Sequence, residues 1–160
     1  MILFVNKIKL RPLQDSDLDF LFQLENDMKS RHFSRLSNEL YSKKTLKNYI
    51  SNASEDISIA KQFRFVIDIE NNPVGCADLF NYSLSFSEVE VGIGVLKNHR
   101  RKGYARDALK LLIKYAFNVL KVDKIHSKIH DENTSSIFLF KKLGFNYTSS
   151  NKYILNKCDY

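Results

Sequence analysis

The 160-residue chain contains no tryptophan, only two cysteines and five glycines, and no long run of apolar residues. A membrane-spanning helix needs roughly 20 predominantly apolar residues, so the sequence predicts none. The apolar segment 1–5 is too short for a signal peptide and continues as the alternating pattern typical of a strand. Cys76 and Cys158 lack the spacing of a metal site and are too few for a disulfide framework. We therefore expect a cytoplasmic protein without a bound metal.

The two common nucleotide-binding loops are also missing from the chain. It has neither G-x-x-x-x-G-K-[ST] nor a G-x-G-x-x-G after its first strand. Three of the five glycines nevertheless lie close together, at Gly92, Gly94 and Gly103. Glycine weakens the interior of a strand, so the first two indicate a bulge, a close approach by a ligand, or a tight fit beneath a helix.

A turn that contains Gly103 separates this strand from a long helix and carries the pattern Arg-x-x-Gly-x-Ala. Such a turn leaves backbone N–H groups unpaired, and the helix dipole adds partial positive charge beside them. The segment therefore predicts a pyrophosphate site. Its residues are Arg100, Arg101, Lys102, Gly103, Tyr104 and Ala105.

The formal net charge of +7 raises the question of a polyanionic partner. The basic residues are spread along the chain, however, and most scattered lysines are solvated surface. We therefore predict no nucleic-acid partner and no membrane partner. The densest cluster, residues 97–102, has four cationic residues and coincides with the predicted phosphate loop.

Periodicity along the chain predicts one domain over residues 1–160 with the order β-α-α-β-β-β-α-β-α-β-β. Mixed strands interleaved with helices favour an α/β (α+β) fold with a largely antiparallel sheet covered on both faces. The predicted strands are 2–12, 63–69, 74–80, 87–95, 124–129, 145–147 and 153–155, and the predicted helices are 15–27, 42–50, 101–120 and 133–143. Residues 28–41 are predicted to be a loop with at most a turn of helix.

Thirty residues after Gly103, Asn133 opens a second motif, Asn-x-x-Ser-x-x-Leu-Phe-x-Lys-Leu-Gly-Phe. In order and spacing, the two motifs resemble those of the GNAT N-acetyltransferases. The N-terminal segment 8–18 is similar to the branch with the ribosomal-protein N-terminal acetyltransferases and the bacterial spermidine N-acetyltransferases. The resemblance implies the GNAT fold and transfer of acetyl from acetyl-CoA to a primary amine by direct attack in a ternary complex. The amine could belong to a protein N-terminus, a polyamine or an amino sugar.

The resemblance also assigns cofactor contacts. It implies that the amides of residues 101–105 bind the pyrophosphate of CoA, with Arg100 at the start of the motif. The backbone of Ile93 and Val95 would pair with pantetheine, and Asn133 would touch the CoA arm. Phe140 would lie at the cofactor where many members carry a tyrosine acid. Because a phenyl ring cannot donate a proton, a non-catalytic acyl-CoA-binding protein is the alternative function.

Two residues are candidates for the proton transfers. Glu90 precedes the glycine pair and shares a strand face with Glu88, which favours it as the base; alternatively it is a solvent-facing carboxylate paired with a lysine. Ser136 lies one helical turn before Phe140, and the resemblance to the ribosomal-protein branch implies that it is the acid for the leaving thiolate; alternatively it belongs to the helix cap. Lesser candidates for the base are His99, His126 and His130, and Asp78 and Tyr82 are candidates for the acceptor side.

The acceptor and the oligomeric state, including a homodimer, stay open. The net positive charge of the chain disfavours a cationic polyamine as the acceptor unless acidic residues gather at the site. The acidic residues considered for this are Glu39, Glu55, Asp56, Glu88 and Glu90.

Overall fold

An eight-stranded sheet forms the centre of the structure, a computed structural model that describes residues 2–5, 7–34, 39–53 and 56–160. The strands are β1 (Leu3–Val5), β2 (Ile8–Pro12), β3 (Phe63–Ile69), β4 (Asn72–Ser83), β5 (Glu88–Val95), β6 (Lys124–Lys128), β7 (Asn146–Tyr147) and β8 (Lys152–Asn156). The helices are α1 (Leu18–Glu25), α2 (Met28–Phe33), α3 (Lys43–Asn52), α4 (Ile57–Ala60), α5 (Tyr104–Asn118) and α6 (Thr134–Lys142). Within these ranges no helix has both the length and the apolar character that crossing a membrane demands.

The sheet has the order β1-β2-β3-β4-β5-β6-β8-β7. Every neighbouring pair is antiparallel except β5 and β6, which run parallel and are connected through α5. A parallel pair requires a crossover of this kind, since a tight turn cannot return the chain to the same end of the sheet. The predicted fold class, a largely antiparallel mixed sheet with helices, is confirmed.

Both faces of the sheet are covered, because successive strand residues point to opposite sides. In β3, Phe65 and Ile67 join the core beneath α5, whereas Val66 joins a second core with Leu21 of α1 and Leu46 of α3. On α5 the buried residues recur with the helical period that predicted this helix.

A buried ion-pair network fixes the N-terminal segment to the sheet. Arg11 of β2 donates two hydrogen bonds to Asp17, at 2.7 and 2.8 Å, and one to Asp68 of β3, at 2.8 Å. All three residues are buried. The hydrogen bond to Asp17 is the main cause that raises the pKa of Arg11. The network joins β2, β3 and the turn that precedes α1.

The N-terminal half differs from the prediction in three places. The single strand predicted at 2–12 is a hairpin of β1 and β2, in which Leu3 pairs with Leu10. Residues 28–33 form α2, because the Asp27 side chain accepts a hydrogen bond from the Ser30 amide at 2.8 Å and caps the helix. The short helix α4 was not predicted. Both helices are too short to show a helical period in the sequence.

Candidate active site

The pairing between the parallel strands β5 and β6 stops partway along β5, and the space beside the unpaired part of β5 is called the cleft. They pair at three positions, ending where Glu90 faces His126. Beyond this point β5 continues to Val95 and pairs only with β4 within the described chain. Ile93 and Val95, the residues predicted to pair with pantetheine, therefore lie where one edge of β5 is free.

The two glycines of β5 do not form the bulge that was one of the expectations. The register between β4 and β5 runs without a shift from Gly75 opposite Val95 to Phe80 opposite Glu90. At Gly92, a Cβ would lie 3.1 Å from the ring of Phe80 on the neighbouring strand β4, so the fit there is tight against a strand and not beneath a helix as expected. At Gly94, a Cβ would meet only ordinary contact, 3.8 Å from Leu24 of α1.

The predicted phosphate loop connects β5 to α5. Arg101 and Gly103 have positive φ angles of 63° and 84°, and α5 begins at Tyr104 rather than at 101 or 102. The first backbone amide hydrogen-bonded to this turn is that of Asp107, which donates to the Gly103 carbonyl at 3.1 Å. In the described part of the chain, the amides of residues 101–106 donate to no protein acceptor. This is an anion-binding geometry at the start of a 15-residue helix.

The Arg100 side chain contacts protein groups around the loop. Its Nε donates to the Val95 carbonyl at 2.9 Å, and its terminal nitrogen lies 3.1 Å from Asp27 Oδ1 and 3.2 Å from Ser30 Oγ. Burial works against ionisation of Asp27, but the bonds from Ser30 and Arg100 outweigh it and lower the pKa of Asp27. Arg100 thus ties the end of β5 to α2.

Glu90 lies at the point where β5 and β6 separate and is only 6% exposed. Its Oε2 accepts a hydrogen bond from Asn81 Nδ2 at 2.8 Å and lies 3.8 Å from His126 Nδ1. The alternative expectation, a solvent-facing carboxylate paired with a lysine, describes Glu88 instead. The Glu88 side chain is 23% exposed and lies 3.6 Å from Lys124 Nζ.

His126 connects the two carboxylates. Its Nε2 lies 3.9 Å from Glu88 Oε1, while its buried Nδ1 faces Glu90 and has no hydrogen-bond partner in the described chain. Burial is the main cause that lowers the pKa of His126. A neutral imidazole beside a carboxylate can accept a proton. No partner of His126 was predicted, because the register between β5 and β6 that places it opposite Glu90 cannot be inferred from either strand alone.

The second motif supplies the N-cap of α6, Asn133, and the buried residue of this helix, Phe140. Asn133 Oδ1 accepts a hydrogen bond from the Ser136 amide at 3.3 Å, so these residues form the helix cap that was the alternative expectation. The Ser136 side chain is half-buried. Phe140 is 2% exposed and packs edge-on against Phe145, with ring centroids 4.9 Å apart. The contacts of the Phe140 ring in the structure are therefore with the core.

The remaining candidates are dispersed. Asp78 forms a two-bond ion pair with Arg64, and Tyr82 is buried. His99 ends the short turn after β5, and His130 lies beside His32 of α2.

Of the five acidic residues considered for a cationic acceptor, Glu88 and Glu90 come together around His126. Asp56 caps α4, and Glu39 follows α2 in the chain. Glu55 lies outside the described residues.

Comparisons with known proteins agree with this architecture. The acetyltransferase (GNAT) domain family matches residues 7–146. Spermidine N(1)-acetyltransferase of Escherichia coli K12 is 30% identical over 149 residues, which cover 88% of this chain and 73% of that protein. An uncharacterized N-acetyltransferase, p20 of Bacillus licheniformis, is 25% identical over 89% of this chain and 81% of its own.

Solved structures show the same fold. The spermidine N-acetyltransferase of Vibrio cholerae, in a complex with CoA and spermine, superposes with a TM-score of 0.83 at 20% identity, covering 96% of this chain and 97% of that one. A putative ribosomal-protein-serine acetyltransferase of Vibrio cholerae gives a TM-score of 0.76 at 17% identity, covering 98% and 97%. The family match spans most of the chain and includes the separated strands and the glycine turn. The chain therefore belongs to the GNAT family of acetyl-CoA-dependent N-acetyltransferases.

Proposed function

We propose that the protein acetylates an alkyl polyamine, with Glu90 as the base that receives the proton of the attacking amine. The observation that carries the proposal is that Glu88 and Glu90 lie on one face of β5 around His126, with Glu90 at the last position where β5 pairs with β6. Two carboxylates at this point would attract a cationic acceptor. The spermidine acetyltransferase of Escherichia coli, at 30% identity, supports the same class of acceptor.

The proton on the amine is the main chemical obstacle. An alkyl ammonium has a pKa near that of lysine, so forming the neutral amine at about pH 7 costs about 4 to 5 kcal/mol. Glu90 is held by Asn81, and the neutral His126 ring lies beside it. The pair offers a place for the proton at the narrow end of the cleft.

The other charges of the reaction develop on the thioester. The amine nitrogen bonds to the thioester carbonyl carbon, and the C–S bond then breaks to give the amide and the CoA thiolate. A backbone N–H on the free edge of β5 would stabilise the oxyanion. Ser136, half-buried in the first turn of α6, would relay to the thiolate the proton that the acylated nitrogen loses as it becomes the amide, so that its own hydroxyl ends unchanged. A thiol with a pKa near 8.5 needs only modest help to leave.

Turnover of acetyl-CoA with spermidine tests the base. Glu90→Gln should lower the rate about 100-fold or more near pH 7 and clearly less near pH 9, where more of the amine is already neutral. Glu88→Gln is the matched control, because it removes the same charge from the same face and should leave the pH dependence of the rate unchanged. Equal losses for Glu90→Gln at both pH values would rule out Glu90 as the base.

The same assay tests the acceptor. Release of free thiol is compared for spermidine, a peptide with a free N-terminus and glucosamine. Cys158 is exposed and would react with a thiol reagent, so Cys158→Ser is the working protein. Burial strongly raises the pKa of Cys76, which keeps that thiol protonated and unreactive. Faster turnover of the peptide or the sugar than of spermidine would contradict a polyamine acceptor.

Phe140 favours one second function, a non-catalytic acyl-CoA-binding protein. Its position lacks the hydroxyl that many family members place there, and its ring packs into the core. Tight CoA binding without thiol release for any amine in the panel would identify this function.

A further inference from the structure

Helix α2 contacts the loops that follow both of the separated strands. On the β5 side, Asp27 and Ser30 bind Arg100. On the β6 side, His32 Nε2 lies 3.1 Å from Glu132 Oε2, across 100 positions of sequence. Because the pairing of β5 with β6 stops before these loops, α2 bridges the two loops at the end where the strands are no longer paired.

Three metal-ligating side chains meet at the second contact. His32, His130 and Glu132 each present one ligand atom, and the three atoms lie within 4.8 Å of one another. The rings of His32 and His130 have centroids 5.2 Å apart. The Glu132 amide donates to His130 Nδ1 at 3.2 Å, and an ion held by this nitrogen would replace that hydrogen bond. Two imidazoles and one carboxylate are a common ligand set for zinc that keeps a coordination position open.

The spacing also fits such an ion. Ligand atoms about 2.0 to 2.2 Å from a tetrahedral zinc lie about 3.3 Å from one another. The His32–Glu132 distance of 3.1 Å is close to this value, and the three ligand atoms, which lie within 4.8 Å of one another, would need only small side-chain movements to hold the ion. The His32 and Glu132 side chains are 61% and 71% exposed, so an ion can reach them from solvent without opening the fold. Phe33 packs beside His130, with ring centroids 5.9 Å apart, and forms an apolar wall.

We propose that His32, His130 and Glu132 bind a divalent transition-metal ion of the zinc class, and that the ion fixes α2 across the mouth of the acetyl-CoA cleft. Without the ion, the contacts described between α2 and the β6 side are an exposed hydrogen bond from His32 to Glu132 and the packing of the His32 and Phe33 rings against His130. With it, three coordinate bonds join α2 to the loop that leads into α6. The ion would thus slow the entry and release of CoA. The proposed metal site has no part in the proton transfer assigned to Glu90, and the proposal does not depend on which amine is acetylated.

Calorimetric titration of the full chain with zinc chloride tests the site. The exposed Cys158 thiol could itself bind zinc, so Cys158→Ser is the reference protein. We expect one equivalent to bind, and His32→Gln and Glu132→Gln each to weaken binding at least about tenfold. His99→Gln is the matched control, a histidine outside the cluster, and should bind as the reference does. Unchanged affinity in both cluster variants would overturn the site.

Cobalt(II) absorption adds a spectroscopic readout. A cobalt ion held by these ligands should give visible bands in the reference protein that are lost in His32→Gln and retained in His99→Gln. Bands that persist in His32→Gln would place the ion elsewhere and overturn the assignment.

The effect of the ion on the cleft is measured by the kinetics of CoA binding. This measurement needs no amine, so its result does not depend on whether the acceptor is a polyamine. Saturating zinc should slow both association and dissociation of CoA in the reference protein, and His32→Gln should lose this dependence. Zinc that binds at the cluster but leaves both rates unchanged would overturn the action on α2. A protein that shows the zinc effect on CoA but acetylates no polyamine would refute only the proposed function.

Discussion

Gly103 offers a test that separates the charge of the phosphate loop from its backbone conformation. Its φ of 84° is left-handed, a conformation that strains most L-residues by roughly 1 to 2 kcal/mol but is tolerated by Asn and Asp. The informative comparison is therefore Gly103→Asp against Gly103→Asn. The two side chains have nearly the same shape, so the strain is shared, and only the carboxylate charge distinguishes them.

The magnitude follows from the surroundings of the loop. Two unit charges about 4 Å apart interact by about 1 kcal/mol in bulk water and by about 4 kcal/mol at an effective dielectric constant near 20. Arg101 and Lys102 beside Gly103 are exposed, and a Cβ at position 103 would lie 3.4 Å from the Arg106 guanidinium. The solvent exposure and the nearby Arg106 cation both weaken the repulsion between a carboxylate at position 103 and the diphosphate of CoA. We therefore expect Asp to bind CoA about 1.5 kcal/mol more weakly than Asn, roughly a tenfold loss.

Calorimetric titration of both variants with CoA measures this difference directly. Added salt should narrow the gap between them, because it screens the charge but leaves the strain unchanged. Equal affinities of the Asn and Asp variants at low salt would refute the placement of the diphosphate on the amides around Gly103. A loss shared by both variants would point to backbone strain instead.

Two further predictions concern stability. Arg11→Met should lower the free energy of unfolding, measured in urea, by about 3 to 5 kcal/mol, because it leaves the buried carboxylates of Asp17 and Asp68 without their cation. The control Lys7→Met removes an exposed ion pair and should cost almost nothing. A similarly small loss for both variants would contradict a stabilising role of the buried ion-pair network. Burial lowers the pKa of His126 below its ordinary value of 6.5. Protonation of this histidine therefore favours the unfolded chain, and the free energy of unfolding should decrease as the pH falls below about 6.5. The wild type should lose more stability than His126→Gln between about pH 7 and pH 5, and parallel curves would show that the ring titrates as it does in the unfolded chain.

The elements with a clear period were predictable from the sequence. Strand β3 occupies the predicted residues 63–69, and Ser42 caps α3 as expected, accepting a hydrogen bond from the Thr45 amide at 3.1 Å. Both depend on local signals, an apolar run between polar flanks and a hydroxyl at a helix start. The turn that contains Gly103 and precedes α5 was also predictable locally, since its glycine and basic residues are contiguous; its binding of phosphate stays a prediction.

The predictions were wrong where the deciding interaction is distant in sequence. The hairpin within residues 2–12 is an exception, because Leu3 and Leu10 pair only seven positions apart; the prediction joined the apolar run 2–5 and the alternating segment 8–12 into one strand. The helical conformation of residues 28–33 depends on the Asp27 cap, and Asp27 is itself held by Arg100, 73 positions away. Short helices of this kind take their stability from tertiary contacts rather than from propensity.

The environment of Glu90 likewise depends on contacts that the sequence did not predict. Strand alternation placed Glu88 and Glu90 on one face, but it treated them alike. Their difference arises from neighbours on other elements: Asn81, across the hairpin, binds Glu90, while Lys124 of β6 lies beside Glu88. Those contacts follow from the register of β5 with β6 and from the irregularity in β4 between Phe80 and Ser83. The point where strand pairing stops therefore decides both where the cleft opens and which carboxylate is buried at its end.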